Sequence, residues 1–247
     1  MNISVSSYRY QSQSGNDAEL CKRLRELAEQ RKRFGSPRLH VLLKREGLVI
    51  NHKRTERIYQ EEGLALRRKR RRKGAAGARV VLPSAQRPNE HWSMDFVVDS
   101  IVTGRRFKAL TVVDDFSREC PVIEVDTSLS GIRVVGVLDR LAETRGLPTV
   151  ITVDNGPEFI GKAMDEWAYR KGVKLNFIRP GKPIENAYAE SFNGRLRDEC
   201  LNTNWFINLK QARQIIEDWR NDYNQVRPHS SLNNLTPKEY AETAARL

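Results

Sequence analysis

Cysteine is scarce in this 247-residue chain: Cys21, Cys120 and Cys200 are the only three. Their odd number and wide scatter argue against a disulfide framework and fit a reducing compartment. Histidine is as sparse, and none of His40, His52, His91 and His229 stands at a zinc-binding distance in sequence from a cysteine, so no structural zinc is expected. No stretch approaches the roughly 20 apolar residues of a membrane span. The polar segment from Met1 to Tyr10 lacks the apolar core of a signal peptide. These absences lead to the expectation of a soluble, cytoplasmic, nucleoid-associated protein with no membrane partner. No internal repeat is visible.

What the chain does have is segregated positive charge. The net charge is +12. Residues 1–80 hold 21 Lys and Arg against 8 Asp and Glu, and residues 81–247 hold 22 against 23. The whole excess sits in the first third. Basic clusters track phosphate, so a nucleic-acid partner is favoured over a merely solvated surface.

Residues 1–15 are rich in Ser, Gln and Tyr and read as poorly ordered. Residues 16–66 read as a small basic all-α domain of the helix-turn-helix kind. Asn16 or Asp17 caps a helix carrying Leu20, Leu24 and Leu27 on one face, and Gly35 closes it. Ser36-Pro37 starts a second helix, with Ser36 as cap, through Leu39, Leu42 and Leu43 to Gly47. Asn51 caps a third that ends near Gly63. Three short helices with glycine-containing links suit DNA binding, and the third, with Lys53, Arg54 and Arg57 exposed, is the candidate recognition helix. A basic bundle that touches phosphates without reading bases is the equal alternative.

Residues 67–88 read as a basic arm and linker. Arg67, Arg68, Lys69, Arg70, Arg71, Arg72 and Lys73 form an unbroken run that stays extended until it meets an anion. From residue 89 the pattern changes to three strands and then helix–strand–helix–strand–helix, an α/β chain with a mixed sheet and helices on both faces. Residues 89–225 make this domain, and 226–247 its C-terminal extension.

Acidic residues punctuate the domain. Asp95 lies mid-strand in W-S-M-D-F-V-V, where Trp92, Met94 and Phe96 alternate with Ser93, Asp95 and Val97. A carboxylate in such surroundings needs a cation, a donor or an open site; a structural aspartate is the alternative. Asp154 ends the apolar run Thr149 to Val153, where parallel sheets gather ligands, although a turn aspartate before Asn155-Gly156 reads as well. Asn186, Glu190, Asn193 and Arg197 fall at helical spacing on one face. That face is either a ligand set or an exposed surface.

The combination is specific. Thirty-five residues separate Asp154 from Glu190. The pattern resembles the DD(35)E core of retroviral integrases and transposases, and most closely the B-frame product of insertion sequence three family transposases. The segments W-S-M-D-F, V-V-D-D-F-S-R, T-V-D-N-G-P-E-F and E-N-A-Y-A-E-S-F-N-G-R-L-R-D-E-C carry the resemblance. F-G-S-P-R-L-H-V-L-L and Y-N-Q-V-R-P-H-S-S-L-N-N-L-T-P-K-E-Y extend it over roughly residues 17–240. The chain departs from retroviral integrases in having no His/Cys zinc domain, and it shows no heptad zipper.

The resemblance implies an RNase H-like mixed five-stranded sheet flanked by helices, with Asp95, Asp154 and Glu190 as catalytic carboxylates. They would hold two Mg²⁺ ions, with Mn²⁺ as a substitute. It implies cleavage at insertion-sequence ends and transfer of the freed 3′-hydroxyl to target DNA. It also implies double-stranded DNA as partner, a dimer or higher oligomer on DNA, and a possible upstream A-frame protein. Arg197 would hold a phosphate, and Asn155, Asn186 and Glu158 would support the acids. Asp115 reads as a turn residue, Ile215, Trp219 and Tyr223 as a core stripe, and Arg227 and His229 as residues without catalytic role.

Overall fold

The computed structural model describes residues 17–66, 85–179 and 183–245, in two units divided between Arg70 and Arg71. The expected N-terminal tail and the basic run Arg67 to Lys73 lie outside the described residues. No described helix is long and apolar enough to cross a membrane, and all three cysteines are unbonded.

The first unit is three helices, α1 (Asp17–Gln30), α2 (Ser36–Arg45) and α3 (His52–Glu61). Leu20, Leu24 and Leu27 of α1 bury against Leu39, Leu42 and Leu43 of α2 and Ile58 and Tyr59 of α3, with Phe34 and Val49 from the links. The N-cap of α2 is Gly35 rather than the expected Ser36; it is extended (φ −83°, ψ 171°), and Pro37 sits inside the first turn, where its missing N–H costs nothing. Asn51 does cap α3, its side chain accepting from Lys53 N at 3.0 Å. Gly47 and Gly63 follow α2 and α3 at φ +76° and +66°, the left-handed region where a side chain is strained.

Ion pairs lace this unit. Arg23 grips Glu46 with two bonds of 2.8 Å. Arg54 Nε and Arg57 Nη2 both reach Asp17, at 2.7 and 2.8 Å. These two arginines, expected as free cations of a recognition helix, are thus tied to the start of α1, because one aspartate lies within reach of both. Lys53 is exposed and has no ion-pair partner among the described residues.

The second unit is built on five strands in the order β3-β2-β1-β4-β5. They are β1 (His91–Ser100), β2 (Arg106–Asp114), β3 (Val122–Asp126), β4 (Val150–Val153) and β5 (Lys174–Phe177). β1, β2 and β3 are antiparallel neighbours; β4 and β5 join parallel to β1. Helices α4 (Gly131–Arg145), α5 (Lys162–Lys171), α6 (Ala187–Glu199), α7 (Leu209–Gln225) and α8 (Pro237–Ala244) complete it. A 3-10 turn over Pro183–Asn186 leads into α6.

Strand alternation sorts the two faces. Trp92 and Met94 of β1, with Leu110, Val112, Ile151 and Val153, bury against Val134, Val137, Leu138 and Leu141 of α4 and Met164 and Trp167 of α5. Val97, Phe107, Ala109 and Val113 face the other way, onto Phe192 and Leu196 of α6 and Ala212, Ile216 and Tyr223 of α7, with Ile215 and Trp219 partly buried beside them. Asp95 shares the α6 side with Val97.

The chain end is anchored by charge. Arg227, 2% exposed, donates to Glu199 through Nε at 2.8 Å and Nη2 at 2.6 Å, with Nη1 3.3 Å from His229 Nε2. The segment after α7 is therefore clamped to the last turn of α6. Breaking a buried pair strands one charge, so Glu199→Gln should lower unfolding free energy by about 3–5 kcal/mol in urea, whereas Glu199→Leu with Arg227→Met should recover most of it. Equal losses in the single and double variants would show that the clamp works through shape rather than charge.

Candidate active site

Three elements bring the acidic residues together. In the parallel pair β1–β4, Ser93 stands opposite Thr152. Two residues farther along each strand, on the same face, come Asp95 and Asp154. Helix α6 lies over β1: Asn186 Nδ2 donates to Met94 O at 3.0 Å, Asn193 Nδ2 to Asp95 Oδ2 at 2.8 Å, and Arg197 Nη2 to Val98 O at 3.3 Å. The face carrying Asn186, Glu190, Asn193 and Arg197 is therefore turned to the sheet, not to bulk solvent alone. Asn186 and Asn193 are buried; Glu190 and Arg197 are exposed.

Asp95 is restrained at both oxygens, since Oδ1 accepts from Phe96 N at 2.7 Å. Thr111, its partner across β2, donates to Asp95 O at 3.1 Å and to Asn193 Oδ1 at 2.9 Å, which orients the amide that holds the carboxylate. Burial pushes the Asp95 carboxyl above its ordinary value; the Phe96 amide works against this, and the charges of Asp154 and Glu190 push it further up. Asp154 Oδ1 accepts from Gly156 N at 3.0 Å. A Cβ on Gly156 would meet that oxygen at 2.9 Å and Glu158 Oε2 at 3.3 Å, which accounts for glycine in the D-N-G-P-E turn.

The supporting residues divide. Glu158 is ion-paired with Lys108 of β2, which holds its carboxyl below the usual value. It borders Asp154 across Gly156 with its charge already matched. Asn155 donates to Ile178 O at 2.8 Å, tying the end of β4 to the end of β5, and is exposed. Asn186 Oδ1 is buried without a hydrogen-bond partner among the described residues. Arg195 turns back onto Ser191.

Asp115 stands in the turn after β2, as expected, but it does more than turn the chain. It is buried, its Oδ2 lies 2.5 Å from His91 Nδ1, and burial raises its carboxyl against hydrogen bonds from His91 and Ser93. Asp114 organises the turn, accepting from Phe116 N at 3.0 Å and Ser117 N at 2.8 Å. His91 Nε2 lies 3.0 Å from Thr152 Oγ1, so a polar chain braces β1 against β4 beneath the acids. Sequence spacing does not reveal His91, Thr111 or Lys108, because each is isolated in sequence and meets its partner only across strands.

Asp95, Asp154 and Glu190 offer hard oxygens, and their mutual repulsion is relieved by a cation, so the donor set fits a divalent metal ion. Among the described residues no three His, Cys, Asp or Glu side chains are grouped closely enough to hold a metal ion as they stand. No hydrogen bond among the described residues restrains the Glu190 carboxylate, which leaves that side chain free to swing.

The comparisons with known proteins agree on the lineage. An integrase core domain model matches residues 85–183, a second integrase core model matches 171–237, and an HTH-like domain model matches 15–72. The 31.7 kDa protein of insertion element IS407 from Burkholderia multivorans is 52% identical over 240 residues, covering 97% of this chain and 87% of that protein. The chain belongs to the insertion sequence three family of transposases. The 39.2 kDa protein of insertion element IS476 from Xanthomonas euvesicatoria is 49% identical over 222 residues, 90% of this chain and 64% of its own length. The catalytic core of the HTLV-2 integrase, solved in complex with magnesium, superposes with a TM-score of 0.52 at 18% identity, covering 63% of this transposase and 98% of that core. That likeness identifies the fold as RNase H-like. The family makes the chain a polynucleotidyl transferase acting in transposition.

A carboxyl whose value is raised on folding makes the folded state less stable above that value. Below the unfolded value of 3.8 both states are protonated and the penalty is gone. Asp95→Asn should therefore raise Tm at pH 7 by about 2–4 °C, which is about 1 kcal/mol for a chain of this size. The gain should fade as pH falls toward the ordinary aspartate range. A thermal scan showing no gain at pH 7 would mean that the Asn193 and Phe96 bonds outweigh the burial.

Proposed function

We propose that this transposase cleaves DNA at insertion-sequence ends and joins the freed 3′-hydroxyl to target DNA, with Asp95, Asp154 and Glu190 as the catalytic carboxylates. The observation that carries the reading is the placement of Asp95 and Asp154 two residues beyond the Ser93–Thr152 pair, under the helix face that carries Glu190. A site that gathers anions against their repulsion is built for cations and phosphate.

The three carboxylates would hold divalent cations, Mg²⁺ or in its place Mn²⁺. When bound, such ions polarise the phosphoryl group and stabilise charge on the attacking and leaving oxygens. The chain's own groups set the geometry. Asn193 and the Phe96 amide fix the Asp95 carboxylate, Gly156 N fixes Asp154, and Glu190 swings from α6. Arg197, two helical turns beyond Glu190, binds a phosphate of the strand. In the first step a water oxygen bonds to phosphorus and the bond to the 3′ oxygen breaks. In the second, the oxygen of that 3′-hydroxyl bonds to a target phosphorus in line, the opposite bond to the target's own 3′ oxygen breaks, and the hydroxyl proton passes to the leaving oxygen through solvent.

The domain assignment supports the division of labour: residues 16–66 and the arm at 67–88 bind DNA, 89–225 carry out the chemistry, and 226–247 extend the core. Lys53 and Arg67 to Lys73 neutralise phosphates. Arg54 and Arg57 contribute only if DNA phosphate displaces Asp17. Joining two ends to a target requires more than one site, so a dimer or higher oligomer acts on DNA, and an upstream A-frame protein would add recognition of the ends.

Asp95→Asn, Asp154→Asn and Glu190→Gln should each reduce joining of pre-cut 3′-hydroxyl ends by about a thousandfold or more, with metal-free DNA binding retained. Near-normal joining by any one of them would remove that residue from the set, and hydrolysis without joining in the wild type would reduce the activity to that of a nuclease. Replacing Arg67 to Lys73 with alanine should flatten the dependence of DNA affinity on salt, by about 0.9 in logarithmic slope for each phosphate that the run neutralises. An unchanged slope would exclude the run from the DNA interface.

A further inference from the structure

At the far end of β1 an apolar surface is left uncovered. Trp205 is 85% exposed, Ile207 63% and Val102 54%. Phe206, between the first two, is buried, its ring centroid 5.7 Å from that of Phe107. Its carbonyl accepts from Val102 N at 2.9 Å. This bond fastens the connector between α6 and α7 to the β1–β2 turn and gathers Trp205, Ile207 and Val102 at one place. Burying Phe206 leaves both its neighbours outward.

Arg105 and Arg106 are exposed on the same turn, and among the described residues neither guanidinium has an ion-pair partner. In the same unit Arg133, Arg140, Arg145, Arg213 and Arg220 are each paired to a carboxylate. The patch also lies beyond the acidic site in a definite direction. β1 and β4 run parallel, so the end of β1 lies on the same side as Asp154. Ser100, opposite Arg106, is five residues past Asp95, about 17 Å along the strand. Arg197, bonded to Val98 O, stands between. Asp99, the acid of this stretch, turns its carboxylate onto Ser100 N at 2.8 Å.

An open indole beside unpaired guanidiniums suits a nucleic-acid strand, the cations taking phosphates and the ring face a base. A second copy of this chain suits it less, because a two-fold contact would press Arg105 and Arg106 toward their own counterparts. In a duplex each base is already stacked on its neighbours, so only an unpaired base can use the ring. We propose that Trp205, supported by Ile207 and Val102, stacks on an unpaired base of the DNA held at the carboxylates, with Arg105 and Arg106 on the flanking phosphates. The roughly 17 Å along β1 between Asp95 and Ser100 sets that base a few nucleotides from the reacting phosphate. The inference rests on the DNA-joining reading for the identity of the strand.

The test uses the full chain in EDTA, where no cleavage interferes. Two duplexes of equal length are compared, one blunt and one ending in a five-nucleotide single-stranded overhang. Trp92 and Trp167 are fully buried and Trp219 partly, so fluorescence quenching on binding reports mainly on Trp205. The expected result is stronger quenching by the overhang duplex. Trp205→Ala should weaken overhang binding about tenfold or more and leave blunt binding within about twofold, whereas Trp205→Phe should keep most of the preference. Arg105→Ala with Arg106→Ala should lower the logarithmic salt slope by about 2. Equal weakening on both duplexes, or none on either, overturns the platform. So does a Trp205→Ala protein that binds DNA normally but sediments as a smaller species, which would assign the patch to a second copy. If the wild type binds neither duplex, the DNA-joining reading fails, an outcome distinct from failure of the platform alone.

Discussion

Like charges brought close in a half-buried site repel, and the rest of this fold's second unit is arranged to hold them there. Asp95 carries most of the strain, being half-buried and facing the charges of Asp154 and Glu190. It keeps its position because hydrogen bonds reach it from two directions, the Phe96 amide and the Asn193 side chain. Asp154 is pinned by one backbone amide, with Glu158 beside it already matched by Lys108. Glu190 has no such restraint. One carboxylate is held at both oxygens, a second at one, and the third by no hydrogen bond among the described residues.

Helix α6 is what converts the sheet into a site, and its length matches its task. Asn186 and Arg197 are 11 residues apart, about 16 Å of helix. Their acceptors, Met94 O and Val98 O, are four residues apart on β1, about 13 Å of strand. The helix therefore runs along the strand, and Asn193 falls between its two ends, over Asp95. Phe192 and Leu196, on the neighbouring stripe, bury into the layer shared with α7, so packing and polar recognition come from adjacent faces of one helix. The Glu199–Arg227 clamp then fixes the last turn of that helix from behind.

Much of this is legible in the sequence because it is periodic or local. The leucines of α1 and α2, the alternation around Asp95, and the Asn51 cap follow from spacing and backbone chemistry within a few residues. The face of α6 is legible too, but not what it faces. Asp115 is half legible for the same reason: its neighbours in sequence place it in a turn, where it is found, but only the pairing of β1 with β2 brings His91 to it. The Asp17 bridge to Arg54 and Arg57 spans helices α1 and α3, and no spacing rule links them. Ser36 yields the cap position to Gly35 by a single residue, within the range where helix ends are set by backbone angles rather than by side-chain preference.

The segregation of charge follows from the same repulsion. A guanidinium able to reach Asp95 or Asp154 would pair with it and compete with the cations the acids are placed to bind. Among the cations near the site, Lys108 is committed to Glu158, and Arg197 turns to a backbone carbonyl instead of a carboxylate. Residues 81–247 are nearly balanced, with 22 basic and 23 acidic side chains, so they exert little net pull on DNA. The affinity must come from elsewhere in the chain. Residues 17–66 hold 12 Lys and Arg against 8 Asp and Glu, and the run 67–73 adds seven cations with no acid. Several cations of the helical unit are already matched internally. Among the described residues Asp95, Asp154 and Glu190 have no ion-pair partner, so the protein itself leaves their charge uncompensated.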